Sequence, residues 1–200
     1  MNCGILLFDG VDLMDVAGPY EVLLTASRLQ ERRGDLPSFT VTTVSTTGGP
    51  VTAYGGLGLA AESGPGGAGG FDVLIVPGAI AIDPLVDDQG LIHAVRRLAA
   101  TAKLTASVCT GAFLLERAGL LDGVQATTHW EDVDGLAARL GWDRVRADVR
   151  WVDSGRVVTA GGLSSGIAMA LHLVERFAGR ELAEATARQV DYVWTEDRGA

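Results

Sequence analysis

Apolar residues come in short unbroken runs separated by longer stretches that mix apolar and polar positions, the pattern of buried strands alternating with surface helices. Residues 5–8, 39–45, 72–77 and 104–108 read as strands, each bounded by turn-forming residues. Pro19 predicts a helix start, with the helix running to about residue 30. Further helices are predicted over 84–100, 112–118, 131–140, from the 161–166 stretch through 177, and over 181–194. A short strand is predicted over 125–129. Hairpins are predicted over 51–61, broken by Gly55-Gly56, and where 149–152 meets 156–159 around Asp153-Ser154-Gly155. Residues 64–70 are glycine-rich and read as a flexible surface connection without a phosphate-loop lysine. Strands alternating with helices predict an α/β fold with a mostly parallel sheet covered on both faces.

Length and composition narrow this picture. At 200 residues, 48% hydrophobic and with 27 glycines, the chain suffices for one α/β domain over 1–200 and is short for two. No run of eighteen apolar residues occurs, so no membrane helix is expected. The first residues lead straight into a strand and leave no charged segment or cleavage site for a secretion signal. Cys3 and Cys109, far apart in sequence, fit a reduced cytoplasm better than a disulfide framework. The net charge of −9 argues against nucleic acid as a partner, because phosphate contacts need clustered Lys and Arg. Arg96-Arg97 and the basic residues of 144–150 read as solvated faces.

The chemistry concentrates just after the predicted strands, where ligands sit in open α/β sheets. Ser107-Val108-Cys109-Thr110-Gly111 follows the small-x-nucleophile-x-small pattern of a nucleophile elbow. Helix-start N–H groups there are expected to lower the thiol pKa and to stabilise developing negative charge. The competing reading is a buried structural cysteine, which is also the reading for Cys3. Asp15, at the mouth of the first loop, is either a proton carrier beside the thiol or a helix-start acid. Glu21 fits the second of these roles. His129, after the predicted 125–129 strand, either polarises a substrate or is hydrogen-bonded structure. His93 and His172 fall inside helical patterns. No compact Cys/His cluster suggests a metal, and no cofactor is expected.

Taken together, Leu6-Leu7-Phe8 with Asp15, Gly18 and Pro19, Val76-Pro77-Gly78, the elbow, Ala118-Gly119-Leu120-Leu121-Asp122-Gly123, Ala126-Thr127-Thr128-His129-Trp130 and Gly161, Gly162 and Gly166 resemble the DJ-1/PfpI superfamily. The resemblance runs from residue 4 to about 178. It implies a flavodoxin-like three-layer sandwich that works as a homodimer, with Cys109 as nucleophile, Asp15 as its acidic partner and Thr110 completing the site. Gly78, Ala79, His129 and Gly162 are expected to bind substrate or oxyanion. The implied activity is that of a lyase hydrating isonitriles to N-substituted formamides through a covalent thioimidate, with a small molecule as partner. The alternatives are a glyoxalase or deglycase-like enzyme acting on methylglyoxal and a non-catalytic redox or ligand sensor. Two departures stand out. Ala79 replaces the second glycine usual after the third core strand. Thr110 stands where the protease-like branch has histidine, which argues against peptidase activity. Similar domains form half of some transcriptional regulators, but no helix-turn-helix pattern follows here.

Overall fold

The computed structural model describes residues 1–67 and 70–194. Within the predicted 64–70 connection, Ala68 and Gly69 therefore lie outside the described residues. The elements, in chain order, are β1 (Asn2–Leu7), α1 (Leu13–Arg33), β2 (Thr40–Ser45), β3 (Val51–Thr52), β4 (Gly58–Leu59), β5 (Val73–Val76), α2 (Asp83–Val86), α3 (Gln89–Ala99), β6 (Leu104–Ser107), α4 (Gly111–Arg117), α5 (Val133–Leu140), β7 (Trp151–Asp153), β8 (Val157–Ala160), α6 (Ser165–Ala178) and α7 (Arg180–Gln189).

Six strands form one sheet in the order β2-β1-β5-β6-β8-β7, parallel except for β7, which pairs antiparallel with β8 at the edge. The small β3-β4 hairpin stands apart. β5 and β6 are buried along their whole length, as their unbroken apolar runs require when helices cover both sides. Helices α1, α6 and α7 pack against one another, and α3, α4 and α5 form a second group linked through α4. This is the α/β, flavodoxin-like arrangement expected from the sequence. The chain leaves β1 for β2 on one side and returns to β5 on the other, so β1 and β5 flank the topological switch point where ligands collect. The loops beyond these two strands are stitched together. Asp12 N–H donates to the Gly78 carbonyl at 2.9 Å, and Val11 pairs with Ala79 in an isolated antiparallel bridge.

Four local expectations are corrected. Helix α1 begins at Leu13, not at Pro19, because the Asp12 side chain accepts the Met14 N–H and caps the earlier start. Pro19 then lies inside the helix, where it cannot donate to the carbonyl four residues back. Asp15 consequently sits in the first helical turn. The predicted 84–100 helix breaks into α2 and α3, since Asp88 caps a fresh start by accepting from Gly90 and Leu91 N–H. Residues 125–129 form only a bridge between Ala126 and Val145, because Thr127 N–H turns to the Thr159 hydroxyl and not to a strand ladder. Helix α7 stops at Gln189, where Asp191 adopts a left-handed φ of 54° and Tyr192 N–H closes onto the Ala187 carbonyl.

The central strands hold the loops that carry the chemistry, so the core at their centre sets the stability. Ile75→Ala, at a fully buried position on β5, should cost about 2–5 kcal/mol in urea unfolding. Leu36→Ala, at an 89% exposed position, should change stability by less than about 0.5 kcal/mol in the same measurement.

Candidate active site

Cys109 follows β6 with a φ of 56°, a left-handed conformation that a non-glycine residue adopts only when its surroundings enforce it. Its N–H donates to the carbonyls of Ala160 and Gly161 at 3.2 and 2.9 Å, and its carbonyl accepts the Thr128 hydroxyl at 2.9 Å. The flanking glycine is obligatory for close approach: a Cβ on Gly111 would stand 2.3 Å from the Val76 carbonyl oxygen. On the other flank Ser107 is fully buried.

Asp15 is completely buried, and its Oδ2 accepts the Gly78 N–H at 2.9 Å. The helix-capping role belongs to Asp12, while the Asp15 carboxyl turns away from its own helix towards the elbow. Its other oxygen, Oδ1, has no hydrogen-bond partner among the described residues. The Cys109 thiol and the Leu163 N–H lie close enough to favour the charged carboxylate, although neither meets it with ordinary hydrogen-bond geometry. Burial outweighs both and, with Asp12 adding like charge, pushes the Asp15 pKa up to about 7.

The thiol is raised as well, to about 12, first by burial and then by the negative charge of Asp15 and Asp12, against weaker help from the Thr110 and Leu163 N–H groups. This overturns the expectation of a lowered thiol pKa. The N–H groups of Gly111, Ala112 and Phe113 donate to the carbonyls of Val108, Cys109 and Thr110, which leaves little of the helix start facing the sulfur. At neutral pH the thiol is therefore protonated, and its proton and that of Asp15 belong to a coupled pair.

Thr110 and Ala79 clasp each other. Ala79 N–H donates to Thr110 Oγ1 at 2.9 Å, and that hydroxyl donates to the Ala79 carbonyl at 2.8 Å. The Ala79 N–H, expected to face an oxyanion, is thus engaged within the protein. Gly78 fits beneath them only without a side chain, since a Cβ there would stand 2.5 Å from Thr110 Oγ1.

His129 packs against Gly162, where a Cβ would come within 2.1 Å of the ring carbon Cδ2. Its Nδ1 lies 3.4 Å from the Glu131 N–H and 3.5 Å from Asp132 Oδ2. Gly162 thus makes room for the histidine. A cavity of about 190 Å3 opens over the thiol, lined also by Asp12, Ala79, Ile80, Thr110, His129, Glu131, Asp132 and Leu163. Among the described residues, no Lys or Arg lines it. A larger cleft of about 570 Å3 adjoins it and shares His129 and Leu163. Cys109, Asp15, Thr110, Gly78, Ala79 and His129 are thus gathered at one place, with Gly162 behind the ring. His172 lies elsewhere, bonded to Asp153 at 2.8 Å and stacked on Trp151. No cluster of metal-ligating side chains occurs among the described residues. Two participants escaped the sequence reading. Thr128 was visible only as part of a motif, and Leu163, at a φ of 47°, carries no sequence signal for its left-handed turn.

Comparison with known proteins agrees with this geometry. The DJ-1/PfpI family matches residues 2–176. The chain is 36% identical over 192 residues to an isonitrile hydratase of Pseudomonas putida, covering 96% of this chain and 78% of that protein. It is 32% identical over 193 residues to the HTH-type transcriptional regulator GbdR of Pseudomonas aeruginosa, covering 96% of this chain but 50% of the regulator. Among solved structures, a ThiJ/PfpI family protein from Pseudomonas syringae superposes with a TM-score of 0.82 at 26% identity, covering 96% of this chain and 74% of that one. Motifs, fold and relatives agree, and the chain belongs to the DJ-1/PfpI family.

Proposed function

We propose that this protein is a lyase that hydrates isonitriles to N-substituted formamides, with Cys109 as nucleophile and Asp15 as the proton carrier. The observation that carries the reading is the buried Asp15, held by Gly78 with one oxygen unpaired, beside a thiol in a strained elbow under a small cavity. Similarity to the Pseudomonas putida isonitrile hydratase supports it. A group with a pKa of about 7 is matched to giving and taking a proton near neutrality.

The chemistry runs from the form of the pair that holds one proton, which rests on the thiol until Asp15 takes it as the sulfur attacks. That proton passes to the terminal carbon of the isonitrile as the Cys109 thiolate bonds to the same carbon, giving a thioimidate and an Asp15 carboxylate. The carboxylate then takes a proton from water as the hydroxyl adds to the thioimidate carbon, and returns that proton to nitrogen. Asp15 removes the proton of the new hydroxyl as the carbon–sulfur bond breaks, which releases the formamide and restores the thiolate with protonated Asp15. Thr110 holds the Ala79 loop against the elbow throughout, and the N–H groups of Thr110 and Leu163 face the sulfur where charge returns.

A second reading, a ligand-sensing domain, is favoured by the neutral, buried thiol and by the similarity to a transcriptional regulator. Assays with an aryl isonitrile and with methylglyoxal in parallel separate the readings. Isonitrile turnover supports hydration, methylglyoxal turnover alone supports the glyoxalase-like alternative, and binding of an unconsumed ligand supports the sensor.

Cys109→Ala should reduce turnover of an aryl isonitrile to background while the circular dichroism spectrum stays unchanged. Cys3→Ser, at a site buried in the core, should keep nearly full activity in the same assay.

Asp15→Asn should slow single turnover by roughly a hundredfold to ten-thousandfold. Because the reactive form has lost the first of the pair's two protons, parental kcat/KM should rise as pH rises through about 7. The stability consequence has the opposite sign to that of an ordinary paired carboxylate. A raised folded pKa means that the native state binds more protons than the unfolded one between about pH 4 and 7, so the parent loses stability as pH rises through that window. Relative to the parent, Asp15→Asn should therefore gain about 1–4 kcal/mol between pH 4 and pH 8 in urea unfolding. A helix-start acid would give a difference of the opposite sign.

A further inference from the structure

The small cavity over Cys109 and the larger cleft beside it meet at two residues, His129 and Leu163, which line both. The histidine is fixed. Its ring is packed onto Gly162 with no room for a Cβ between them, and its Nδ1 accepts the Glu131 N–H. Leu163 is held differently. The residue is 41% exposed, and its backbone adopts a φ of 47°, a conformation that strains a non-glycine residue. A glycine would adopt that φ without strain, so a leucine here calls for a reason in its side chain.

We propose that the Leu163 side chain, backed by His129, is the wall that separates the reaction cavity from the neighbouring cleft, and that it limits the protein to substrates with compact substituents. This rests on the hydration reading for the identity of the substrate, but the wall itself is a property of access to Cys109. At about 190 Å3 the reaction cavity lies below the range of roughly 300–1,000 Å3 usual for ligand pockets. The adjoining cleft, at about 570 Å3, falls inside that range and carries polar groups, Asp148, Arg150 and the Thr127 to His129 segment, along its walls. Shortening Leu163 joins the two spaces and gives a bulky substituent somewhere to lie while its reacting carbon reaches the sulfur. The backbone N–H of residue 163 survives any such substitution, so the change acts on shape.

The test uses the full chain with Cys3→Ser, so that Cys109 is the one thiol present. Labelling rates with iodoacetamide, a compact reagent, and with N-(1-pyrenyl)maleimide, a bulky one, are measured by intact mass for the parent, Leu163→Ala and Leu163→Gly. Both reagents need the thiolate, so their ratio cancels any change in thiol pKa and reports access alone. Leu163→Ala should raise the bulky-to-compact ratio by about tenfold or more. Leu163→Gly should do the same on a relaxed backbone, which guards against a variant that fails to fold. The ratio of kcat/KM for 2-naphthyl isonitrile over methyl isonitrile should shift in the same direction. A labelling ratio that stays within about twofold of the parent in both variants overturns the wall. If no variant consumes any isonitrile, the hydration reading fails, and the labelling ratio still upholds or overturns the wall.

Discussion

The hydrogen bond from Gly78 N–H to Asp15 Oδ2 is the contact on which the site depends. It joins the first turn of α1 to the loop after β5 across the switch point of the sheet, and it leaves the second carboxyl oxygen beside the Cys109 thiol with no hydrogen-bond partner among the described residues. Burying a carboxyl with only one strong donor is costly. The protein meets that cost by shifting the pKa upward, so that near neutrality the group is readily protonated. A second donor on Oδ1 would stabilise the fold and fix the carboxylate, leaving it too weak a base to take the thiol proton.

The elbow shows the same balance between strain and support. Cys109 is held at positive φ by carbonyls from the end of β8 and by the Thr128 hydroxyl, while Gly111 and Gly78 let the backbone of the β5 loop pass within contact distance. The thiol that results is not an activated thiolate. Burial and neighbouring acids keep it protonated, which protects it from oxidation, a reaction that needs thiolate character. In the proposed reaction it becomes nucleophilic only in concert with Asp15. The absence of Lys and Arg from the cavity lining is consistent with this arrangement, since a cation there would favour the thiolate and the carboxylate together.

Much of this was legible in the chain. The unbroken apolar runs of β5 and β6 foretold a buried parallel sheet, and the small residues around Cys109 foretold the elbow because close backbone approach leaves a compositional trace. What stayed hidden depends on long-range packing. The early start of α1 turned on the Asp12 cap outweighing Pro19 as a signal, and it moved Asp15 from a loop into a helix. The raised thiol pKa could not be read from the motif, because the motif names the helix-start N–H groups without showing that neighbouring carbonyls already engage them. The engagement of Ala79 N–H by Thr110 and the left-handed turn at Leu163 likewise follow from contacts between distant segments.

The most direct test of the account is a carbon-13 NMR titration of the Asp15 side-chain carboxyl in protein labelled at aspartate, assigned by comparison with Asp15→Asn. The account predicts a midpoint near 7. A midpoint near or below 4, the ordinary range for an exposed aspartate, would contradict it, because Asp15 would then be too weak a base to take the thiol proton.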